Sequence, residues 1–212
     1  MPDPAPPVPR GRHAPPLEVR LEHQRARLFA AAATVFARLG YAEASAEAIS
    51  REAGMSKATF YEHFGNKEEC ILALFDAAAA QVRDAVEASL ATSEDPETRY
   101  RQGVRAFLGA LVAFPDHART LLLEIIGAGP RAAERRDAVL QRFADFIDRE
   151  NELAHEGHGV PRLKSPDDAY ALVGAMLELA SRQLRHGVPA EPLDLEPVIE
   201  RLISGLLAAT AS

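Results

Sequence analysis

The sequence holds a single cysteine, Cys70, in 212 residues. One thiol excludes an intrachain disulfide framework and a cysteine-based zinc finger, and it fits a reducing cytoplasm. Long apolar runs are also missing. Hydrophobic residues make up 47% of the chain, yet no stretch nears the roughly 18 consecutive apolar residues of a membrane span, so no transmembrane helix is expected. The N-terminus carries prolines, Arg10 and Arg12 but no apolar h-region, so no signal peptide is expected. Signatures of catalysis are absent: no nucleophile elbow, phosphate loop or HExxH. Seven histidines and 31 acids give accidental pairs only. No catalytic residue, cofactor or metal site is therefore expected.

An excess of positive charge is missing too. The net charge of −7 argues at first against a nucleic-acid binder. Its distribution removes the objection. Residues 10–67 hold nine basic and six acidic side chains, whereas residues 71–212 hold 15 basic and 22 acidic ones. A mildly basic end suits phosphate; the acidic bulk does not.

What is present is helical periodicity nearly throughout, which predicts an all-α fold. Residues 1–16, with seven prolines, read as a disordered or polyproline-like arm whose arginines either reach DNA or stay solvated. A first helix is predicted from about Val19 to Leu39, with Leu28, Phe29, Ala32, Val35, Phe36 and Leu39 at helical spacing and Gly40 as its end. Ala48 to Glu69 then reads as two short helices around a tight turn. Ser45 caps the first, where Ile49 and Ala53 share a buried face. Gly54 supplies the turn. Ser56 caps the second, with Phe60 and Phe64 inward and Lys57, Thr59, Tyr61 and His63 outward. This is the pattern of a helix–turn–helix, one helix braced on the backbone and the next in the major groove.

Further on, Asn66 caps a helix predicted from Lys67 to about Leu90, striped with Ile71, Leu74, Phe75, Ala78 and Val82. Asp95-Pro96 starts another to Phe114, with Val104, Phe107, Leu108, Leu111 and Val112 apolar. A short helix follows over Asp116–Ile126, and a longer one from Pro130 to about Ala154. Residues 155–165 read as a loop. His155 and His158 are close there, but a metal needs further ligands on a rigid scaffold, so an ordinary surface loop is expected. Ser165-Pro166-Asp167-Asp168 starts a helix to about His186. The last runs from about Leu195 to Ala209. These two carry more apolar surface than one packing face requires, which marks an interface.

The spaced residues Gly40-Tyr41, Ser45, Ile49, Ala53-Gly54-Met55-Ser56, Thr59-Phe60-Tyr61, His63-Phe64 and Asn66-Lys67-Glu68 resemble the DNA-binding segment of TetR-family transcriptional regulators. The resemblance implies a helix–turn–helix domain over residues 17–66 and a larger helical effector-binding and dimerisation domain over 67–212. It implies a homodimer on a palindromic double-stranded DNA operator in the cytoplasm, most simply a repressor released by a small-molecule effector. Ser45, Ser56, Lys57, Ala58, Thr59, Tyr61, His63 and Lys67 would form the DNA surface, Lys57 reading guanine and Ser45 and Lys67 holding phosphate. Phe107, Leu111, Phe114, Leu122, Phe143, Phe146 and Met176 would line the effector pocket, or else be plain core. Leu177, Leu184, Leu202 and Leu206 would form the dimer interface. Ala44, Ala46, Glu47 and Ser50 depart from the common pattern around the second helix. An enzyme, or a helical adaptor that binds no DNA, are the alternatives to this reading.

Overall fold

A computed structural model describes residues 16–208. The arm expected over residues 1–16 falls, apart from Pro16, outside the described residues. So does Ala209, the expected end of the last helix. The described residues form helices α1 (Leu17–Glu43), α2 (Ala46–Glu52), α3 (Lys57–His63), α4 (Lys67–Leu90), α5 (Pro96–Ala113), α6 (Pro115–Leu122), α7 (Pro130–His158), α8 (Pro166–His186) and α9 (Glu196–Ala208). Two 3-10 turns, Glu124–Gly127 and Pro192–Leu195, precede α7 and α9. None of these helices is long and apolar enough to cross a membrane.

The predicted caps set the helix starts. Ser45, Ser56, Asn66 and Asp95 each accept a hydrogen bond from the backbone three residues on, at 3.2, 3.1, 2.9 and 2.8 Å. Ser165 and Asp168 close a reciprocal capping box at the head of α8. Each cap satisfies a backbone donor that the helix itself leaves open.

α4 runs through the middle and packs on α1, α5, α6 and α7. Its Ile71, Leu74, Phe75, Ala78 and Val82 are all buried, as the stripe predicts. One buried apolar cluster extends from Leu28 through Phe60 and Phe75 to Ile199, so the helix–turn–helix is not packed apart from the rest. A smaller cluster, Leu140, Ala144, Ala169 and Val173, zips α7 to α8.

Three boundaries differ from the sequence reading. Gly40 does break α1, at φ 76° and ψ 162°, but a further turn of helix follows to Glu43. α6 stops at Leu122 and hands over to a 3-10 turn instead of reaching Ile126. α7 continues four residues past Ala154, so His155 and His158 lie on helix and not in a loop. Gly159 ends the helix at φ 70°, its N–H donating to the His155 carbonyl at 2.8 Å, and the chain that returns is held by the buried side chain of Asn151. Its Nδ2 donates to the Pro161 carbonyl at 3.0 Å and its Oδ1 accepts from the Leu163 N–H at 2.8 Å. Of the apolar residues noted on α5, Val112 is exposed.

Gly40 occupies a backbone region that only glycine enters freely, and a Cβ there would lie 3.5 Å from the Glu124 carboxylate. Gly40→Ala is expected to cost about 1–3 kcal/mol of stability. Gly109, inside α5, has nothing within 4 Å of a built Cβ. Gly109→Ala is expected to stabilise by roughly 0.5–1 kcal/mol. Urea unfolding of the two variants should give shifts of opposite sign.

Candidate nucleic-acid interface and ligand cavity

The helix–turn–helix is built as its residues dictate. Ile49, Ala53, Phe60 and Phe64 are buried, and Gly54 takes φ 63° at the turn. Arg27 of α1 donates to the Ala53 carbonyl at 2.6 Å and so ties off the end of α2. Arg38 pairs with Glu52 at 2.9 Å. The Phe60 and Phe64 rings meet at a tilt of 49° with centroids 5.4 Å apart, and Phe29 meets Phe64 at 5.6 Å. Phe29 is thus packing, as predicted. The arrangement holds α3 rigidly against α1 and α2 with one side free.

On that side Ser56, Lys57, Ala58 and Tyr61 are exposed, and Thr59 is half-buried with its hydroxyl 3.0 Å from the Ser56 hydroxyl. Tyr61 is 50% exposed, its ring edge-on to Phe60. His63 is half-buried, its Nε2 3.4 Å from the Gln24 amide oxygen. Burial, and then the Arg25 guanidinium, push His63 below the ordinary imidazole range. It therefore stands at the edge of this face as a neutral ring at pH 7. Arg25 lies 5.1 Å from the Phe29 ring centroid and 5.5 Å from that of Phe64. The sequence reading missed Gln24, Arg25 and Arg27, which sit on α1 well before the motif. Only the three-dimensional return of α1 brings them beside α3.

Ser45 and Lys67 are used inside the fold. The Ser45 hydroxyl caps α2. The Lys67 ammonium donates to the carbonyls of Tyr41 at 2.7 Å and Ala42 at 3.1 Å, and sits 4.3 Å from the Tyr41 ring centroid. The sequence reading explained a cation at this helix start by a phosphate. The structure supplies a different partner: the open carbonyls where α1 ends. On the other side of the same joint the Tyr41 N–H donates to Glu124 at 2.9 Å.

Behind α4 lies an apolar cavity of about 130 Å³. Side chains of α4, α5, α7, α8 and α9 line it, among them Val86, Phe107, Phe143, Phe146, Met176 and Leu206. Of the seven predicted pocket residues, Phe107, Phe143, Phe146 and Met176 line this cavity. Leu111 and Phe114 line a neighbouring one of about 350 Å³ between α4, α5 and α6, and Leu122 is buried core. Leu177 and Leu206, expected at a dimer seam, are partly buried and line the first cavity within the protomer. Leu184 packs on the main core. Leu202 alone of those four is exposed, at 38%.

The polar side chains at the first cavity are spent on one another. Arg99 pairs with Glu150 and donates to the Leu90 carbonyl at 2.7 Å. Asn151 donates to the Tyr100 hydroxyl at 3.3 Å. Burial lifts the Tyr100 phenol above its ordinary range. Cys70 lies in the core, and burial pushes its thiol up to about 12, so it supplies no nucleophile. No cluster of three metal-binding side chains occurs among the described residues.

Residues 28–74 match the family profile of "Bacterial regulatory proteins, tetR family". The chain is 34% identical over 179 residues to the HTH-type transcriptional activator FasR of Mycolicibacterium smegmatis, a match covering 84% of this chain and 79% of that protein. Among solved structures it resembles the fatty acid degradation regulator FadR of Bacillus halodurans, with TM-score 0.79 at 20% identity, covering 86% of this chain and 96% of that one. It is also similar to FadR of Bacillus subtilis in complex with stearoyl-CoA, with TM-score 0.76 at 17% identity over 85% and 98% of the two chains.

Two lysines give the first test of this face. Lys57→Ala is expected to relax preference at one base pair per half-site, costing about 1–3 kcal/mol there. Lys67→Ala is expected to lower the melting temperature and to weaken all DNA sequences alike. Binding measured across a salt series separates its two possible roles. A joint residue leaves the salt slope unchanged, whereas a lost phosphate contact reduces it by about 1.

Proposed function

The chain belongs to the TetR family of bacterial transcriptional regulators, and from that membership we propose a homodimer that leaves a palindromic operator when an apolar ligand fills the cavity behind α4. Residues 17–66 act as the DNA head and residues 67–212 as the effector and dimerisation part. Lys57, Ala58, Thr59, Tyr61 and His63 enter or flank the major groove, and Ser45 and Ser56 flank the phosphates. The protein works in the cytoplasm, where its operator is. It represses where that operator overlaps a promoter. The M. smegmatis relative is an activator, so the sign of the effect belongs to operator position and not to the fold.

The observation that carries the ligand reading is the lining of the cavity. Its surface is almost wholly apolar, and its few polar groups already have partners. A ligand portion held there must itself be apolar, because any hydrogen-bonding group inside would go unpaired. A long hydrocarbon chain fits this chemistry. The stearoyl-CoA bound by the B. subtilis regulator is one such molecule. α4 forms one wall of the cavity and begins at Lys67, against the joint of the DNA head. Filling the cavity therefore acts on the helix that positions α3.

Selection of genomic fragments against a non-specific competitor should return an inverted repeat, its half-site centres about 34–36 Å apart or a multiple of that. Long-chain acyl compounds should then release it. Recovery of no specific fragment would favour a helical adaptor over a regulator.

The dimer reading rests on the outer face of α8 and α9. Tyr170 and Leu202 are exposed there, and a Cβ built on Gly174 or Gly205 meets nothing within 4 Å. Within the protomer, Gly205→Arg and Gly174→Arg should therefore be tolerated, and should gain roughly 1 kcal/mol of helix propensity. At a two-fold seam each places like charges against one another. Sedimentation should show a folded monomer for these variants. Dimers that persist in both would move the interface elsewhere.

A further inference from the structure

The cavity accepts the apolar part of a ligand but offers no free polar group, so a polar head must lie outside it. Three crevices share lining residues with the cavity and differ in charge. The first, between α4, α5 and α6, shares Val82 and Leu121 and has no carboxylate, lysine or arginine in its lining. The second, between α5, α9 and the chain after α7, shares Tyr100, Ile203 and Leu207. Its charged groups are Glu97, Arg101 and Glu200, and Arg101 bridges the two carboxylates at 2.9 and 3.0 Å. That mouth carries one formal negative charge in excess.

The third crevice, about 180 Å³ between α4 and α7, shares Phe143 and Phe146 with the cavity. Its charged side chains are Asp76, Arg83, Arg135 and Arg142, an excess of two positive charges on a chain whose net charge is −7. Ala79 and Ala80 keep the α4 wall low between Asp76 and Arg83. On α7 the arginines at 135 and 142 and the phenylalanines at 143 and 146 share one face, so charge gives way to aromatic surface toward the cavity. Arg135 pairs with Asp76 at 3.3 Å, and Arg83 pairs along its own helix with Asp84 at 2.9 Å and Glu87 at 3.6 Å. Arg142 forms no ion pair among the described residues. The second oxygen of Asp76, Oδ1, is buried without a hydrogen-bond partner.

We propose that the α4–α7 crevice is the seat of an anionic head, a phosphate or carboxylate, on a ligand whose hydrocarbon chain passes between Phe143 and Phe146 into the cavity. The inference rests on the apolar-ligand reading above and adds the class of head and its place. Guanidinium groups match both oxyanions in geometry and charge. The site also bears on α4 itself. An anion beside Arg135 competes with Asp76, which is nine residues from Lys67 and so roughly 13 Å along the helix. Arg131–Glu68 at 3.1 Å is the neighbouring tie of α7 to α4. Head and chain would thus load the same helix at two points.

The test is calorimetric titration of the full chain with dodecyl phosphate and with dodecanol below their aggregation limits. Wild-type protein should prefer the phosphate by about tenfold or more, the scale of one or two charge-assisted hydrogen bonds. Arg83→Gln with Arg142→Gln should abolish most of that preference and leave dodecanol affinity as it was. Both arginines are exposed, so the double variant should melt like the wild type. Arg101→Gln, at the acidic mouth, should leave the preference intact. A preference that survives the double variant, or moves with Arg101, overturns the proposal, as does wild-type protein that takes dodecanol as tightly as the phosphate. If wild-type protein takes neither compound, the apolar-ligand reading itself falls and this inference with it.

Discussion

The joint at the end of α1 is the constraint on which the rest depends. Lys67 stands at the first position of α4 and satisfies the carbonyls that α1 leaves open at Tyr41 and Ala42. Glu124, in the 3-10 turn after α6, takes the Tyr41 N–H and lies 3.5 Å from Arg119. Gly40 makes the bend that lets all three meet. Thr34 adds a second tie from α1 to α6, donating to Asp116 at 3.0 Å. Charged groups hydrogen-bonded to partly buried backbone are worth more than surface ion pairs. The DNA head is therefore held to the larger helical part from two sides, at the start of α4 and at the α6 turn.

That arrangement changes what Lys67 does. A phosphate contact alone would make the residue expendable to the fold and important only to DNA. As a bridge between α1 and α4 it sets the angle at which the helix–turn–helix leaves the body. The two uses are compatible, since Lys67 is only half-buried. They differ in what a ligand can influence. A free lysine transmits nothing, whereas a lysine that joins two helices passes movement of one to the other.

Much of the fold was legible because it is written in local signals. Ser45, Ser56, Asn66, Asp95 and Ser165 announce helix starts by side-chain chemistry alone, and Gly40 and Gly54 announce turns by the φ they permit. The α4 stripe was legible for the same reason, since period and burial agree. What was not legible depends on distant partners. The path of the chain after α7 rests on Asn151 gripping residues 161 and 163, and nothing in the local sequence states that grip. Leu177 and Leu206 line a cavity within the protomer, which their apolar excess did not announce, because such excess does not say which void it faces. Arg25 and Arg27 escaped notice because they precede α2 by 21 and 19 residues.

The two ends of α4 explain why an apolar cavity belongs in a protein built to hold DNA. A ligand shifts an equilibrium only by the difference in its affinity for two conformations. A cavity walled by Val82, Val86 and Leu90 of α4 changes shape whenever that helix tilts, so its affinity for a chain must depend on the tilt. The same tilt moves the Lys67 joint and with it α3. In the proposed two-fold dimer both heads must meet one duplex at a fixed spacing, so a small tilt in each protomer costs twice. Reversing a 1:99 population needs about 5.5 kcal/mol of differential binding. At roughly 0.8 kcal/mol per buried methylene, some seven methylenes held in one state and not the other would supply it. A long hydrocarbon chain can meet that requirement where a small polar effector would need several well-placed hydrogen bonds, and the cavity wall has none to offer. Under the proposed release mechanism, linkage requires operator DNA to weaken ligand binding by the factor by which ligand weakens DNA binding.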